Sequence, residues 1–135
     1  MKPWIASTGA IVGGFLVTAI LSTATDAVLH ATGVFPPVPR EMSDSLFALA
    51  TTYRALFTVA GGYVTARLAP SRPMRHVWIL AGIGLVAGLA GMIAYYTIGG
   101  AAMGPAWYAI SIPLEAIPCV WLGGWLFQSR DQRLS

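Results

Sequence analysis

Four long apolar stretches, separated by short polar or proline-rich segments, dominate the pattern of the chain. A helix needs about 20 mostly apolar residues to cross the hydrocarbon of a bilayer, and each stretch meets that length. We therefore predict an all-α membrane protein, a four-transmembrane-helix bundle that forms a single transmembrane domain over residues 1–135. The predicted spans cover residues 4–29, 45–68, 77–98 and 105–127.

Composition supports a membrane protein and argues against several other kinds of protein and site. Hydrophobic residues make up 56% of the chain and charged residues 10%, whereas about a quarter of a soluble domain is charged. No block of basic residues is long enough to indicate nucleic-acid binding. The single cysteine, Cys119, cannot form an intramolecular disulfide or a multi-cysteine metal site. We expect no cofactor.

Basic residues predict the orientation of the spans, because cytoplasmic loops of membrane proteins are enriched in lysine and arginine. Only Arg40 lies on the side of the bundle that would face away from the cytoplasm. We therefore expect both termini to be cytoplasmic. The other side holds Lys2, Arg67, Arg72, Arg75, Arg130 and Arg133.

Arg54 interrupts the second span and needs compensation, because a charge at the centre of a bilayer costs about 2.5–3.5 kcal/mol on insertion scales. Glu115 lies at a matching depth, about ten residues into the fourth span, which runs in the same direction. An Arg54–Glu115 pair is the expected compensation, with Tyr53 and Tyr108 nearby.

Asp26 is the alternative partner of Arg54, and a network of Asp26, Arg54 and Glu115 is a further possibility. His30 follows Asp26 by one helical turn, so the two share a face. Two such ligands make an incomplete metal site, and we predict none.

Each span carries one stripe of small or polar residues at helical spacing. Such stripes serve either close packing of membrane helices or the lining of a polar cavity. We favour packing for the third span and a cavity centred on Arg54 and Glu115 for the second and fourth. The stripes are Gly14, Thr18, Ser22, Asp26 and His30; Thr51, Arg54, Thr58, Gly61 and Thr65; Gly84, Gly88, Gly91 and Tyr95; Tyr108, Ser111, Glu115 and Cys119.

Two prolines, Pro113 and Pro118, bracket Glu115. Each removes a backbone donor and frees a carbonyl one turn earlier, at Ala109 and Leu114. The prolines either bend the fourth span or prepare a place for a cation or proton beside Glu115. A glycine pair followed by an aromatic residue and an arginine ends both the second and fourth spans. Aligning the pairs sets Arg54 one residue from the position of Glu115, as a duplicated hairpin would.

The run TTYRALFTVAGGYVTARLAPSRPMRH, with WLGGWL near the end of the chain, resembles small four-span proteins of the bacterial inner membrane. That resemblance implies the four-helix topology and a bacterial inner (cytoplasmic) membrane. It implies no activity and no site residues.

Two functions fit these features. The first is a non-enzymatic accessory subunit that binds other membrane helices or itself within the lipid bilayer. The second is a small transporter or binding protein for an ion, a proton or an organic anion. Its site would comprise Arg54, Glu115, Asp26, His30, Tyr53 and Tyr108. An enzyme is not expected, because no nucleophile stands at a suggestive spacing from a base.

Overall fold

The computed structural model describes residues 2–36, 43–99 and 105–134, which form helices and short connections without a β-strand. Prolines occupy the first turns of the first and third helices, where their missing N–H groups cost nothing. The third helix continues into a π-helical segment. The helices are α1 (Pro3–Ala31), α2 (Asp44–Leu68), α3 (Pro73–Ala94), the π segment (Tyr95–Gly99) and α4 (Ala106–Leu134).

Three of these helices are long and apolar enough to cross a membrane, as in a multi-pass membrane protein: Pro3–Ala31, Pro73–Gly99 and Ala106–Arg133. The 25 residues of α2 are sufficient in length, but α2 is less apolar because threonines surround Arg54 in its middle. The described part of the chain therefore contains four α-helices, and three of them are candidate spans. Arg40, the lone basic residue predicted for the opposite side, lies outside the described residues.

The surface is apolar and the core is small. The main buried cluster comprises Ala66, Val77, Leu80, Ala81 and Val120. Large apolar side chains such as Leu56, Val86 and Leu114 are exposed instead. Soluble proteins rarely expose so much contiguous apolar surface, whereas lipid covers it in a membrane.

Helices α2 and α4 run parallel and pack along their length. Phe47 and Tyr108 meet near their beginnings, with ring centroids 4.9 Å apart, and Tyr63 and Phe127 meet near their ends, 5.6 Å apart. Helix α1 runs antiparallel to α2, and α3 runs antiparallel to α4. All six predicted cytoplasmic basic residues therefore lie at one end of the bundle, which we call the basic end.

The α2–α4 contact is reciprocal. Gly62 lies against the backbone of Val120, and Gly123 lies against the backbone of Val59. Residues of α2 and α4 that match each other are separated by the same number of positions along the chain. The pairs with this separation are Gly62 and Gly123, Val59 and Val120, Phe47 and Tyr108, and Arg54 and Glu115. The two helices are thus related by a local pseudo-two-fold, and its register differs by one residue from the predicted alignment of the glycine pairs. Arg54 and Glu115 occupy equivalent positions.

Helices α1 and α3 meet mainly near the basic end. The His76 ring donates from Nδ1 to the carbonyl of Arg72 (3.1 Å), so its Nε2 accepts from the Ser7 hydroxyl (2.8 Å). Toward the opposite end no comparable hydrogen bond joins the described parts of α1 and α3, and α1 forms no extensive interface with α4. The bundle is open there.

Candidate functional site: a cavity within the bundle

A cavity of about 450 Å³ occupies the space between α1, α3 and α4, with α2 at its back. Ligand pockets commonly measure 300–1,000 Å³ and have mostly apolar walls with a few polar groups. This cavity fits that description, since its wall is largely apolar. Its polar and charged lining residues are Thr18, Ser22, Thr23, Arg54, Thr58, Tyr95, Tyr108 and Glu115.

The mouth of the cavity lies between α1 and α3. Four lining residues are exposed on the protein surface: Phe15 and Thr23 on α1, and Ala87 and Gly91 on α3. The lining residues of α2 and α4 are buried or partly buried. Because α1 and α3 are two of the candidate spans, this opening faces the side of the bundle rather than its ends.

Arg54 is paired with Asp26, not with Glu115. One terminal nitrogen of its guanidinium donates to Asp26 Oδ2, and the Tyr53 hydroxyl donates to Asp26 Oδ1. No ion pair joins Arg54 to Glu115 in the part of the chain that the structure describes. The expected pairing was therefore wrong and the alternative partner is the one observed, because α1 packs directly on α2 and brings Asp26 against Arg54.

Local geometry explains why Asp26 reaches Arg54. The Thr18 hydroxyl lies 3.2 Å from two carbonyl oxygens, that of Gly14 in its own helix and that of Phe57 in α2, and its hydrogen is shared between them. A side chain on Gly14 would collide with Gly61 of α2. The stripe on α1 thus sits in antiparallel register on α2. Asp26, two turns beyond Thr18, then falls beside Arg54.

Glu115 lines the cavity without a hydrogen bond or an ion pair to any other described residue. It is partly buried. Helix α4 continues through Pro113 and Pro118, and Pro113 packs against Gly88 of α3. Pro113 leaves the carbonyl of Ala109 without its usual helical donor, and Ala109 also lines the cavity.

The other candidate residues divide by position. Tyr108 lines the cavity. Tyr53 does not; it lies behind Arg54 in a second cluster with Phe35 and Ala50.

His30 lies apart from the cavity. Its Nδ1 donates to the backbone carbonyl of Asp26 (2.8 Å) and its ring contacts Phe35. No group of three or more histidine, cysteine, aspartate or glutamate side chains that could hold a metal ion occurs among the described residues.

The sequence patterns found the polar part of the lining except Thr23, but they did not find its apolar part. The stripe of α3, which we assigned to packing, serves both packing and the lining of the cavity. Gly88 packs on Pro113, while Gly91 and Tyr95 border the cavity. Phe15 and Thr23 were missed because they lie beside the α1 stripe rather than on it. The predicted polar-lined cavity is instead mostly apolar.

Comparison with protein-family models, with curated proteins and with solved structures found no match to this chain.

Proposed function

We propose that this protein is an integral membrane bundle of four spanning helices that binds a small amphipathic molecule in its cavity, as a transporter or a binding protein. The observation that carries the proposal is a cavity of about 450 Å³ that brings Arg54 and Glu115 into one largely apolar wall. Ionisable groups at membrane depth are costly, and their usual role is functional.

The relation between α2 and α4 supports this location. In many transporters built from repeats, the substrate site lies near the bilayer midplane between the repeats. Arg54 and Glu115 stand at equivalent positions of two helices that contact each other reciprocally through Gly62 and Gly123.

Helix α2 is proposed as a further span because threonine hydroxyls along it are hydrogen-bonded within the helix and the charge of Arg54 is compensated within the protein. The hydroxyls of Thr51, Thr52 and Thr58 each donate to the carbonyl one turn earlier, at 2.7–2.9 Å. Asp26 neutralises Arg54. Helix α2 is less apolar than the three candidate spans, but for these reasons it does not have to be exposed to water.

The proposed membrane is the bacterial inner membrane, with both termini in the cytoplasm. The clustering of basic residues at one end supports this orientation. In a Cys119→Ser background, the Val34→Cys variant should react with an impermeant maleimide in intact cells. The Gln128→Cys variant should react only after permeabilisation. The reverse labelling would overturn the orientation.

Binding is tested with neopentylbenzene, a neutral probe, added to the protein in nanodiscs and followed by ligand-observed NMR, with empty nanodiscs as the blank. Gly91→Trp fills the mouth, whereas Gly82→Trp adds the same side chain to the same helix away from the cavity. Both glycines are exposed, and a β-carbon on either would have no atom within 4 Å, so both variants should fold.

Saturable binding to the wild type and to Gly82→Trp, lost in Gly91→Trp, is the expected result. Equal signals from wild type, Gly91→Trp and empty nanodiscs would contradict the proposal.

The accessory-subunit function is a second candidate, favoured by the open space beside Gly9 of α1 and Gly82 of α3 on exposed faces. Small residues on exposed faces let membrane helices approach closely. Native mass spectrometry in a lipid-retaining system should then show a second polypeptide or a multiple of 14.3 kDa. The Gly82→Trp variant should lose that assembly, and a wild-type monomer would count against it.

A further inference from the structure

We propose that the ligand of the cavity is an organic cation and that Glu115 is its counter-ion. This inference rests on the proposed binding function and specifies the chemistry of the same site. It follows from how the three charged side chains in and behind the cavity wall are distributed.

When Glu115 is ionised, the cavity holds one negative charge in excess. Arg54 is neutralised by Asp26, whose second oxygen accepts from Tyr53. Glu115 has no hydrogen bond or ion pair to another described residue. An apolar wall favours the neutral form of a carboxyl group that has no partner, and a bound cation supplies the partner that the ionised form of Glu115 needs.

The rest of the wall suits a cation better than an anion. Three aromatic residues, Phe15, Tyr95 and Tyr108, line the cavity, and aromatic rings attract organic cations through their faces. Ala109, whose carbonyl Pro113 leaves without its usual helical donor, lines the same wall.

An anion would have to bind at Arg54, which is less suited to it. The Arg54 side chain is 32% exposed, and the carboxylate of Asp26 already lies against its guanidinium. The Nε of Arg54 has no hydrogen-bond partner in the described part of the chain, but it is buried and so is not exposed on the cavity surface. An incoming anion would therefore meet the charge of Asp26 together with that of Arg54.

The mouth and the walls indicate that the cation is organic and partly apolar. A small inorganic cation requires several oxygen ligands at once, and the wall is mostly apolar. The opening between α1 and α3 lies on the lipid-facing side of the proposed spans, so an amphipathic molecule already in the bilayer has direct access.

Three probes of nearly the same shape test the charge preference: benzyltrimethylammonium, its neutral carbon isostere neopentylbenzene, and phenylmethanesulfonate. Binding of each is measured at neutral pH to the wild type and to Glu115→Gln in nanodiscs, with empty nanodiscs as the blank. The neutral probe serves as the control for folding of the variant and for an intact cavity.

The wild type should bind the cation about tenfold more tightly than the neutral isostere, and Glu115→Gln should remove that preference while keeping the neutral probe bound. Equal binding of cation and isostere, or tighter binding of the sulfonate, would overturn the inference and leave the binding function standing. No saturable binding of any probe would remove the proposed function itself.

Discussion

Between α2 and α4, glycines bring two backbones into contact, whereas between α1 and α3 small residues border an open space. Gly62 and Gly123 have no room for a methyl group, because each lies on the backbone of the facing helix. Gly91, on the mouth of the cavity, has no atom within 4 Å of where a side chain would begin. The same residue type therefore serves packing in one helix pair and access in the other, and its neighbours decide which.

Breaking the packed pair should produce the largest effect. A leucine at Gly123 would collide with the backbone of Val59 and Tyr63, and neither helix can move without losing the reciprocal contact. Gly123→Leu should lower the free energy of unfolding by at least about 3 kcal/mol or prevent folding.

Gly82→Leu is the matched control, since Gly82 is exposed and a β-carbon there has no atom within 4 Å. It should change the free energy of unfolding by less than about 0.5 kcal/mol. Thermal unfolding in mild detergent measures both, and equal losses would show that the α2–α4 contact is not the tight one.

An intermediate loss of stability is expected when the hydroxyl that hydrogen-bonds α2 to α1 is removed. Thr65 is fully buried and donates to the Ala10 carbonyl at 2.9 Å. Thr65→Val keeps the shape and removes the donor, so it should cost about 1 kcal/mol. Thr23→Val, at the exposed rim of the cavity, should leave the unfolding temperature nearly unchanged. A larger loss from Thr23→Val would contradict the assignment of that region to an open mouth.

The smallest effect on stability is expected at Glu115. Because Glu115 has no hydrogen-bonded or ion-paired partner among the described residues, Glu115→Gln removes a charge without breaking a contact. The unfolding temperature should stay the same or rise. Asp26→Asn, which removes the charge paired with Arg54, is the comparison. If Glu115→Gln lowered the unfolding temperature nearly as much as Asp26→Asn, Glu115 would be a residue that stabilises the bundle.

The sequence was sufficient for the existence and order of the helices but not for their bounds, since α3 begins at Pro73 rather than at residue 77 and α4 continues to Leu134 rather than ending at residue 127. The position of a charged residue along a helix follows from counting residues. Depth alone leaves the rotation of a helix undetermined, and for that reason Glu115 was preferred over Asp26 as the partner of Arg54. The α1 stripe did carry the missing information. Gly14 and Thr18 set α1 on α2 in the register that delivers Asp26 to Arg54.

The cavity was only half predictable for a similar reason. Polar residues at helical spacing marked Thr58, Tyr108 and Glu115 as inward-facing. The apolar walls carry no such mark, because Phe15 or Ile112 would look the same in the sequence whether it faced lipid, a neighbouring helix or a cavity. Only the packing of α1 away from α4 distinguishes these cases.

Two double-mutant cycles in mild detergent test the central claim most directly, one for Arg54→Met with Asp26→Leu and one for Arg54→Met with Glu115→Leu. The Arg54–Asp26 cycle should give a coupling free energy of about 2 kcal/mol. We expect less than for a fully buried ion pair, because both side chains are about a third exposed. The Arg54–Glu115 cycle should give less than about 0.5 kcal/mol. A larger coupling for Arg54–Glu115 than for Arg54–Asp26 would contradict the charge arrangement on which the cation site depends.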